Sequence, residues 1–280
     1  MAQNIIIHKI TRSSIEQLDF DLPDFDSITT ALPTGLYTTF RTYAGRTMVI
    51  GLHSHLNRLY LPAKVQGIVP AMRRPSVLRE VLSELLLPMD ASEARVRLIL
   101  DTSVEPGNIY VLLQPLQVLP AEIYIQGVRV EISKSSREKP ALKQTAFISE
   151  SAFDRSRVGG DVFEILLTRK GRILEGITSN FFYFRDGVLC TAGRGVLIGI
   201  TRQTVIALAK QEGIKVCIRA MALNEVSFME EAFITSSSRG IVPVVQIGEE
   251  QIAAGQVGAM TKKLMNLYEQ HVLSMAETII

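Results

Sequence analysis

The chain predicts an α+β protein of two unequal lobes, and three observations carry that prediction. Hydrophobic residues make up 47% and charged residues 21% of 280 positions, a globular balance with enough apolar side chains to bury sheets. Strand-like segments do not alternate regularly with helical ones, which argues against a doubly wound parallel sheet. The pattern breaks at two prolines around Pro115–Glu122. The expected division is therefore a smaller N-terminal α/β lobe over 1–115, a linker over 116–122 and a larger β-rich lobe over 123–280.

Each element follows from local pattern. Gly35–Tyr43 is rich in threonine and tyrosine and reads as a strand, turned by Ala44-Gly45 into a second strand over Thr47–Leu52. Ser54 is then placed to cap a helix opening at Ser54–Leu59. Within Ser76–Leu87, Val77, Leu78, Val81, Leu82 and Leu85 recur at helical spacing. Arg95–Leu100 and Asn108–Pro115 read as strands around the Glu105-Pro106-Gly107 turn. Beyond the linker come short strands at Val128–Ser133, Val162–Thr168 and Arg172–Glu175, the last two joined by Lys170-Gly171. Asp186-Gly187 between Phe181–Phe184 and Val188–Thr191 is a strong hairpin signal. Thr201–Lys210 reads as a helix ended by Gly213, Phe233–Thr235 and Val242–Ile247 as strands, and Thr261–Met275 as a long amphipathic helix. There is no internal repeat and no low-complexity tract.

Several function classes are disfavoured. With 30 basic against 28 acidic residues the net charge is +2, which gives no electrostatic reason to expect nucleic acid or a membrane surface. Two cysteines, Cys190 and Cys217, cannot build a disulfide framework and suggest a reducing compartment. No signal-peptide pattern opens the chain, and no run of eighteen apolar residues interrupts it. A soluble cytoplasmic protein is the expectation. His53 and His55 would share one side of a strand, but no third metal ligand stands near them, so no metal is expected. A Gly-x-Ser-x-Gly elbow is absent.

The most informative segment is Leu174-Glu175-Gly176-Ile177-Thr178-Ser179-Asn180-Phe181-Phe182, with Lys143 thirty-two positions upstream of Glu175. Three further segments stand apart: His55-Leu56-Asn57-Arg58-Leu59, Leu197-Ile198-Gly199-Ile200-Thr201-Arg202, and Phe233-Ile234-Thr235-Ser236-Ser237-Ser238 before Ile241-Val242-Pro243-Val244. Together they closely resemble the class IV aminotransferases, a pyridoxal-phosphate-dependent family that includes branched-chain and D-amino acid aminotransferases and 4-amino-4-deoxychorismate lyase. The resemblance runs from about Gly35 to Tyr268; the first thirty or so residues depart from it.

That resemblance implies the two-lobed fold type IV architecture, like D-amino acid aminotransferase, with pyridoxal 5′-phosphate as cofactor. It implies a Schiff base on Lys143, in preference to its neighbours Lys134 and Lys139, and Glu175 at the ring nitrogen, where a carboxylate keeps the pyridinium protonated and electron-withdrawing. Ser179 and Asn180 would sit on the turn beneath the cofactor; both also suit ordinary turn bonding. For the phosphate it implies Arg58, the Gly199-Ile200-Thr201 helix start and Ser237, with an anion favoured at a helix N-terminus. Thr201 alternatively serves as a simple cap. Ser238 would offer a backbone amide near the substrate carboxylate. A homodimer acting on small amino and keto acids, with no nucleic-acid or membrane partner, is implied as well.

Two reactions remain open. A transaminase would use the freed Lys143 amine to move a proton from the substrate Cα to the cofactor. The related lyase expels pyruvate and leaves p-aminobenzoate. Tyr37-Thr38-Thr39-Phe40-Arg41 resembles the lyase's Phe-Thr-Thr-x-Arg, with Thr39 acting near the substrate and Tyr37 beside it. Glu-Gly-x-x-Ser-Asn and Gly199–Arg202 look more like transaminases. Leu113-Gln114-Pro115 is read as standing where several transaminases carry Ile-Arg-Pro, so branched-chain specificity is unsupported. Phe147 and Ile148 occupy the region where some relatives place a tyrosine. An aminotransferase of unknown substrate is the favoured expectation, the lyase the alternative, and a non-catalytic relative a third.

Overall fold

The computed structural model describes residues 5–279. The chain begins with β1 (Ile6–Ile10), β2 (Ile15–Leu18), α1 (Phe25–Ala31), β3 (Gly35–Arg41), β4 (Met48–Val49), α2 (Leu52–Val65), α3 (Pro75–Leu86), β5 (Ala94–Asp101) and β6 (Ile109–Pro115). It continues through α4 (Ala121–Gln126), β7 (Val128–Ser133), α5 (Ala146–Glu150), α6 (Ala152–Ser156), β8 (Val162–Arg169), β9 (Arg172–Gly176), β10 (Asn180–Arg185), β11 (Val188–Thr191) and α7 (Ile200–Gln211). The last elements are β12 (Val216–Ile218), β13 (Met221–Ala222), β14 (Glu231–Ser236), β15 (Gly240–Ile247), β16 (Glu250–Gln251), α8 (Ala259–Met275) and β17 (Glu277–Thr278).

These elements form two compact units. One takes the chain up to Gln117, together with Leu142–Glu150 and the segment from Met275; the other is Val118–Ala141 with Ser151–Ser274. An uninterrupted domain over 123–280 is therefore corrected. Long-range backbone pairing is the reason. Gln144 bridges Leu36, Tyr37 N–H donates to the Lys143 carbonyl at 2.8 Å, and Thr145 N–H donates to the Gly35 carbonyl at 2.9 Å. At the other end, β17 pairs antiparallel with β4, and Ile279 is buried in the same unit's core.

In the first unit an antiparallel sheet has the order β2-β1-β6-β5-β3. Alternation sends Leu36, Phe40, Val96, Leu98 and Leu100 to one face, where they pack with Leu52, Leu56 and Leu59 of α2 and Leu78, Leu82 and Leu86 of α3. The opposite face, with Tyr37, Ile99, Tyr110 and Leu112, packs against Phe25 and Ile28 of α1. Pro75 at the start of α3 and leucines at i, i+4 and i+8 explain why that helix forms and which stripe it buries.

Two local expectations fail here. The expected strand over Thr47–Leu52 is only the two-residue β4, and α2 begins at Leu52 with Gly51 as N-cap, so Ser54 lies inside the helix. Gly51 reaches the left-handed region at φ 65°, a turn geometry that ends the strand early. His53 and His55 consequently lie on a helix two positions apart, on different faces. No cluster of three metal-ligating side chains exists among the described residues.

The second unit is built on the strand path β12-β11-β10-β14-β15-β7-β8-β9-β13, with β16 beside β15. An additional pairing between β9 and β10 closes six of these strands, β10-β14-β15-β7-β8-β9, into a ring. Glu175 and Asn180 are the closing partners. Aromatic and branched residues on the strands form the core: Phe181, Tyr183, Ile234, Val242 and Val244 on one side, Phe182, Phe184, Phe233 and the α7 residue Val205 on the other. No described helix is long and apolar enough to cross a membrane.

Candidate active site

The first unit holds Lys143, Tyr37, Thr39 and Arg58. Lys143 lies on the coil before α5, fixed to β3 through its own carbonyl, and is half-buried, whereas Lys134 and Lys139 are exposed. Its Nζ stands 4.9 Å from the centroid of the Tyr37 ring. The Arg97 guanidinium lies 5.2 Å from the same centroid, and its Nε donates to Thr39 Oγ1 at 3.1 Å. Arg97 is itself fixed by α1: Nη1 donates to Asp26 Oδ1 at 2.7 Å, Thr29 Oγ1 at 2.8 Å and the Phe25 carbonyl at 3.1 Å. Register places Thr39 opposite Arg97 and Arg41 opposite Arg95, so three guanidinium-bearing positions share the sheet face that carries Tyr37 and Thr39.

Arg58 sits one turn beyond His55 on α2. His55 is fully buried, with Nδ1 at 2.6 Å from Thr38 Oγ1 and no partner found for Nε2. Burial holds the imidazole well below its ordinary pKa, and the charges of Arg58 and Lys143 push it the same way. His55 is therefore a neutral structural group beneath two cations. Phe147 and Ile148 are buried in α5.

The second unit holds the remaining candidates. The Glu175 side chain is only 2% exposed, at the point where the strand ring closes. Its Oε1 accepts from Arg137 Nε at 2.8 Å, and its Oε2 accepts from the Leu197 amide at 3.0 Å and more distantly from Asn180 Nδ2 at 3.4 Å. Asn180 Nδ2 also donates to the Leu197 carbonyl at 2.7 Å. Asn180 thus locks the Leu197 loop to the carboxylate and makes no simple Asx turn. Ser179 donates to Glu164 Oε2 at 3.2 Å. Burial draws the Arg202 guanidinium down from its ordinary value, while the negative charge of Glu175 opposes that shift.

Gly199 is the N-cap of α7, Ile200 its first residue, and no side chain caps this end. Thr201 lies inside the helix, buried, so its reading as the cap is corrected. A Cβ on Gly199 would stand 2.1 Å from Asn180 Oδ1, so only glycine permits that approach. Ser237 and Ser238 lie in the tight turn between β14 and β15, both half-buried.

Arg97, Arg137, Glu164 and Arg239 were missed by sequence reasoning. Glu164 and Arg97 had a usable signal, a charged residue flanked on both sides by apolar ones within a strand, which must have a partner once buried. Arg137 and Arg239 had none, because each lies in a polar connection between strands.

The family model for amino-transferase class IV matches residues 35–247. The chain belongs to the class IV aminotransferase family. Its relatives include a Methanocaldococcus jannaschii protein assigned as a branched-chain-amino-acid aminotransferase, 31% identical over 84% of this chain and 86% of that one. The aminodeoxychorismate lyase of Bacillus subtilis is 28% identical, covering 86% of each chain. Among solved structures, an assigned branched-chain aminotransferase from Thermotoga maritima aligns at TM-score 0.79 and 28% identity, over 95% of this chain and 96% of that one. The branched-chain aminotransferase of Thermoproteus uzoniensis, solved with norvaline, aligns at 0.77 over 98% of this chain and 100% of that one; at 22% identity it speaks to the fold alone. The architecture is thus fold type IV, and class IV aminotransferases use pyridoxal phosphate.

The residues of this class IV chain fit that cofactor. The uncapped amides at the start of α7 are suited to an anion, and Glu175 is a fixed, buried carboxylate suited to a protonated ring nitrogen.

Proposed function

We propose that this protein moves an amino group between an amino acid and a 2-keto acid, with Lys143 as the reactive amine. When bound, pyridoxal phosphate supplies the carbonyl that takes the amine and the ring that withdraws electrons from the substrate Cα. Glu175 holds a proton at the ring nitrogen; Arg137 and the Leu197 amide keep the carboxylate aimed. Arg58, Gly199, Ile200, Thr201 and Ser237 receive the phosphate, and Ser179 and Asn180 shape the turn below the ring. The Lys143 amine, freed, carries the proton between substrate carbon and cofactor. Tyr37 and the Ser238 amide orient the substrate. Homodimeric assembly and a cytoplasmic location belong to the same proposal. The observation that carries the reading is the arrangement around Glu175, a buried carboxylate with an ion-pair partner, an amide donor and a locking asparagine.

One observation favours the lyase as a second reading. Like charges directly opposite one another on paired strands are destabilising, yet Arg41 faces Arg95, and Arg97 points to the same face two positions further along the strand. A face so rich in guanidinium groups suits a substrate with more than one carboxylate, and Thr39 is hydrogen-bonded into it.

The test mixes cofactor-loaded protein with a panel of amino acids and no acceptor. About one equivalent of keto acid per cofactor supports the transaminase. Pyruvate and p-aminobenzoate released catalytically from aminodeoxychorismate support the lyase. Lys143→Ala should abolish both, and Thr39→Val should slow only the lyase. Undiminished turnover by the Lys143 variant would refute the assignment.

A further inference from the structure

We propose that Glu164 and Arg239 are positioning residues for the cofactor phosphate, an ion pair between a buried carboxylate and a half-buried guanidinium that ties the Ser236–Arg239 turn to the Thr178–Ser179 turn. This rests on the proposed role of Ser237 as a phosphate ligand. Neither residue lies in the Glu175–Asn180 or Phe233–Ser238 segments, and together they join the two.

Glu164 lies on β8 with its side chain 2% exposed. Its Oε2 accepts from Thr178 Oγ1 at 2.5 Å, from Ser179 Oγ at 3.2 Å and from Arg239 Nη2 at 3.2 Å; its Oε1 accepts from the Ile165 amide at 3.1 Å. Arg239 reaches outward from that carboxylate in two directions. Its Nε donates to Ser236 Oγ at 3.1 Å, and Nη2 also donates to Thr178 Oγ1 at 2.5 Å. The guanidinium is 5.2 Å from the Phe163 ring centroid, and the Arg239 carbonyl accepts from the Tyr124 hydroxyl at 3.0 Å. Every residue in this brace belongs to the second unit.

Such a pair contributes more to geometry than to stability. With the carboxylate buried and the guanidinium partly exposed, the pair is a weak stabiliser, because desolvation offsets much of an attraction that solvent also screens. What it supplies is direction: a planar guanidinium with fixed donors holds three oxygens in one arrangement. Here the three belong to Glu164, Thr178 and Ser236. Gly176 makes the arrangement possible, since a Cβ there would stand 2.2 Å from Ser179 Oγ and 3.0 Å from Glu164 Cγ. The turn carrying Ser237 and Ser238 is thereby held at both ends, at Ser236 and at Arg239. Without the brace, this short loop would lose freedom on binding phosphate instead of beginning ordered.

The test titrates full-length apoprotein with pyridoxal phosphate and, separately, with pyridoxal, which lacks the phosphate. The readout is the ratio of the two dissociation constants. Arg239→Met and the double variant Glu164→Gln/Arg239→Met should both weaken pyridoxal phosphate about tenfold while leaving pyridoxal unchanged. Arg239→Lys should recover part of the ratio, and it serves as the readable variant if the methionine form is poorly folded. A double variant restored to the wild-type ratio would overturn the proposal, because charge balance alone would then matter. Equal weakening of both ligands would overturn it too, as a loss of general stability. Wild-type protein with no preference for the phosphorylated ligand would defeat the proposed cofactor site itself, an outcome read before any variant is made.

Discussion

Arg137 is the side chain on which the buried charge of Glu175 depends most directly. Both are almost wholly buried, and the guanidinium also donates to the Ile177 carbonyl at 2.9 Å. Removing one partner of a buried pair leaves an uncompensated charge, at a cost of about 3–5 kcal/mol. Arg137→Met should therefore lower the unfolding free energy by about that much in urea titrations, and it should weaken pyridoxal phosphate binding by releasing the Glu175 carboxylate from its fixed orientation. Arg137→Lys should lose less of both, since it keeps the charge. His55 supports a second prediction at this scale. Its folded pKa lies below its unfolded value, so between those two values the unfolded chain binds more protons. Stability should be fully present above the ordinary histidine pKa of about 6.5 and should fall as the solution is acidified below it. Burial shifts His8 and His271 in the same direction, which adds to the slope. The melting temperature should decline from pH 7 to pH 5, and His55→Phe should flatten that decline. An unchanged slope would remove His55 from the account.

At the scale of elements, legibility followed locality. Val128–Ser133 and Val188–Thr191 were readable to the residue, because turn chemistry and β-branched or apolar runs define them within a few positions. The Asp186-Gly187 and Lys170-Gly171 loops join their strands as expected. Residues Ile6–Leu18 were not readable as strands: β2 is exposed and polar, and β1 gains its place by pairing with β6, about a hundred positions away. The start of α2 was misplaced because Gly51, not Ser54, sets it. Among the candidate site residues, Lys143, Glu175 and the α7 N-terminus could be proposed from motifs, whereas the side chains that hold Glu175 and its neighbours could not. Orientation depends on contacts such as Asn180 to Leu197, which join segments through the tertiary fold. Gly199→Ala tests one such contact. The new methyl group would meet Asn180 Oδ1 at 2.1 Å, forcing either the amide or the start of α7 to shift. Pyridoxal phosphate affinity should fall about tenfold or more, with helix content by circular dichroism unchanged.

For the molecule as a whole, the division of the chain matters more than its two lobes. The first unit is assembled from three separated stretches, so its integrity depends on residues near the C-terminus as well as on the N-terminal third. Leu142–Glu150 brings Lys143 to β3, which explains how a lysine lying in sequence among second-unit residues becomes part of the first unit. The terminal stretch works in the same manner. Ile279 N–H donates to the Thr47 carbonyl at 2.7 Å, Arg79 Nε donates to the Ile279 carbonyl at 3.2 Å, and the Ile279 side chain is buried among the core residues under α2 and α3. Ile279→Ala should consequently destabilise the protein by about 2–5 kcal/mol, the range for deleting a buried aliphatic side chain, although it follows the last strand. Val65→Ala, at an exposed position of α2, is the matched control and should change stability by less than about 0.5 kcal/mol. Urea denaturation of both variants measures the difference. A loss at Ile279 no larger than at Val65 would mean that the terminal strand is an ornament on the first unit and that residues up to Gln117 with Leu142–Glu150 suffice to form it.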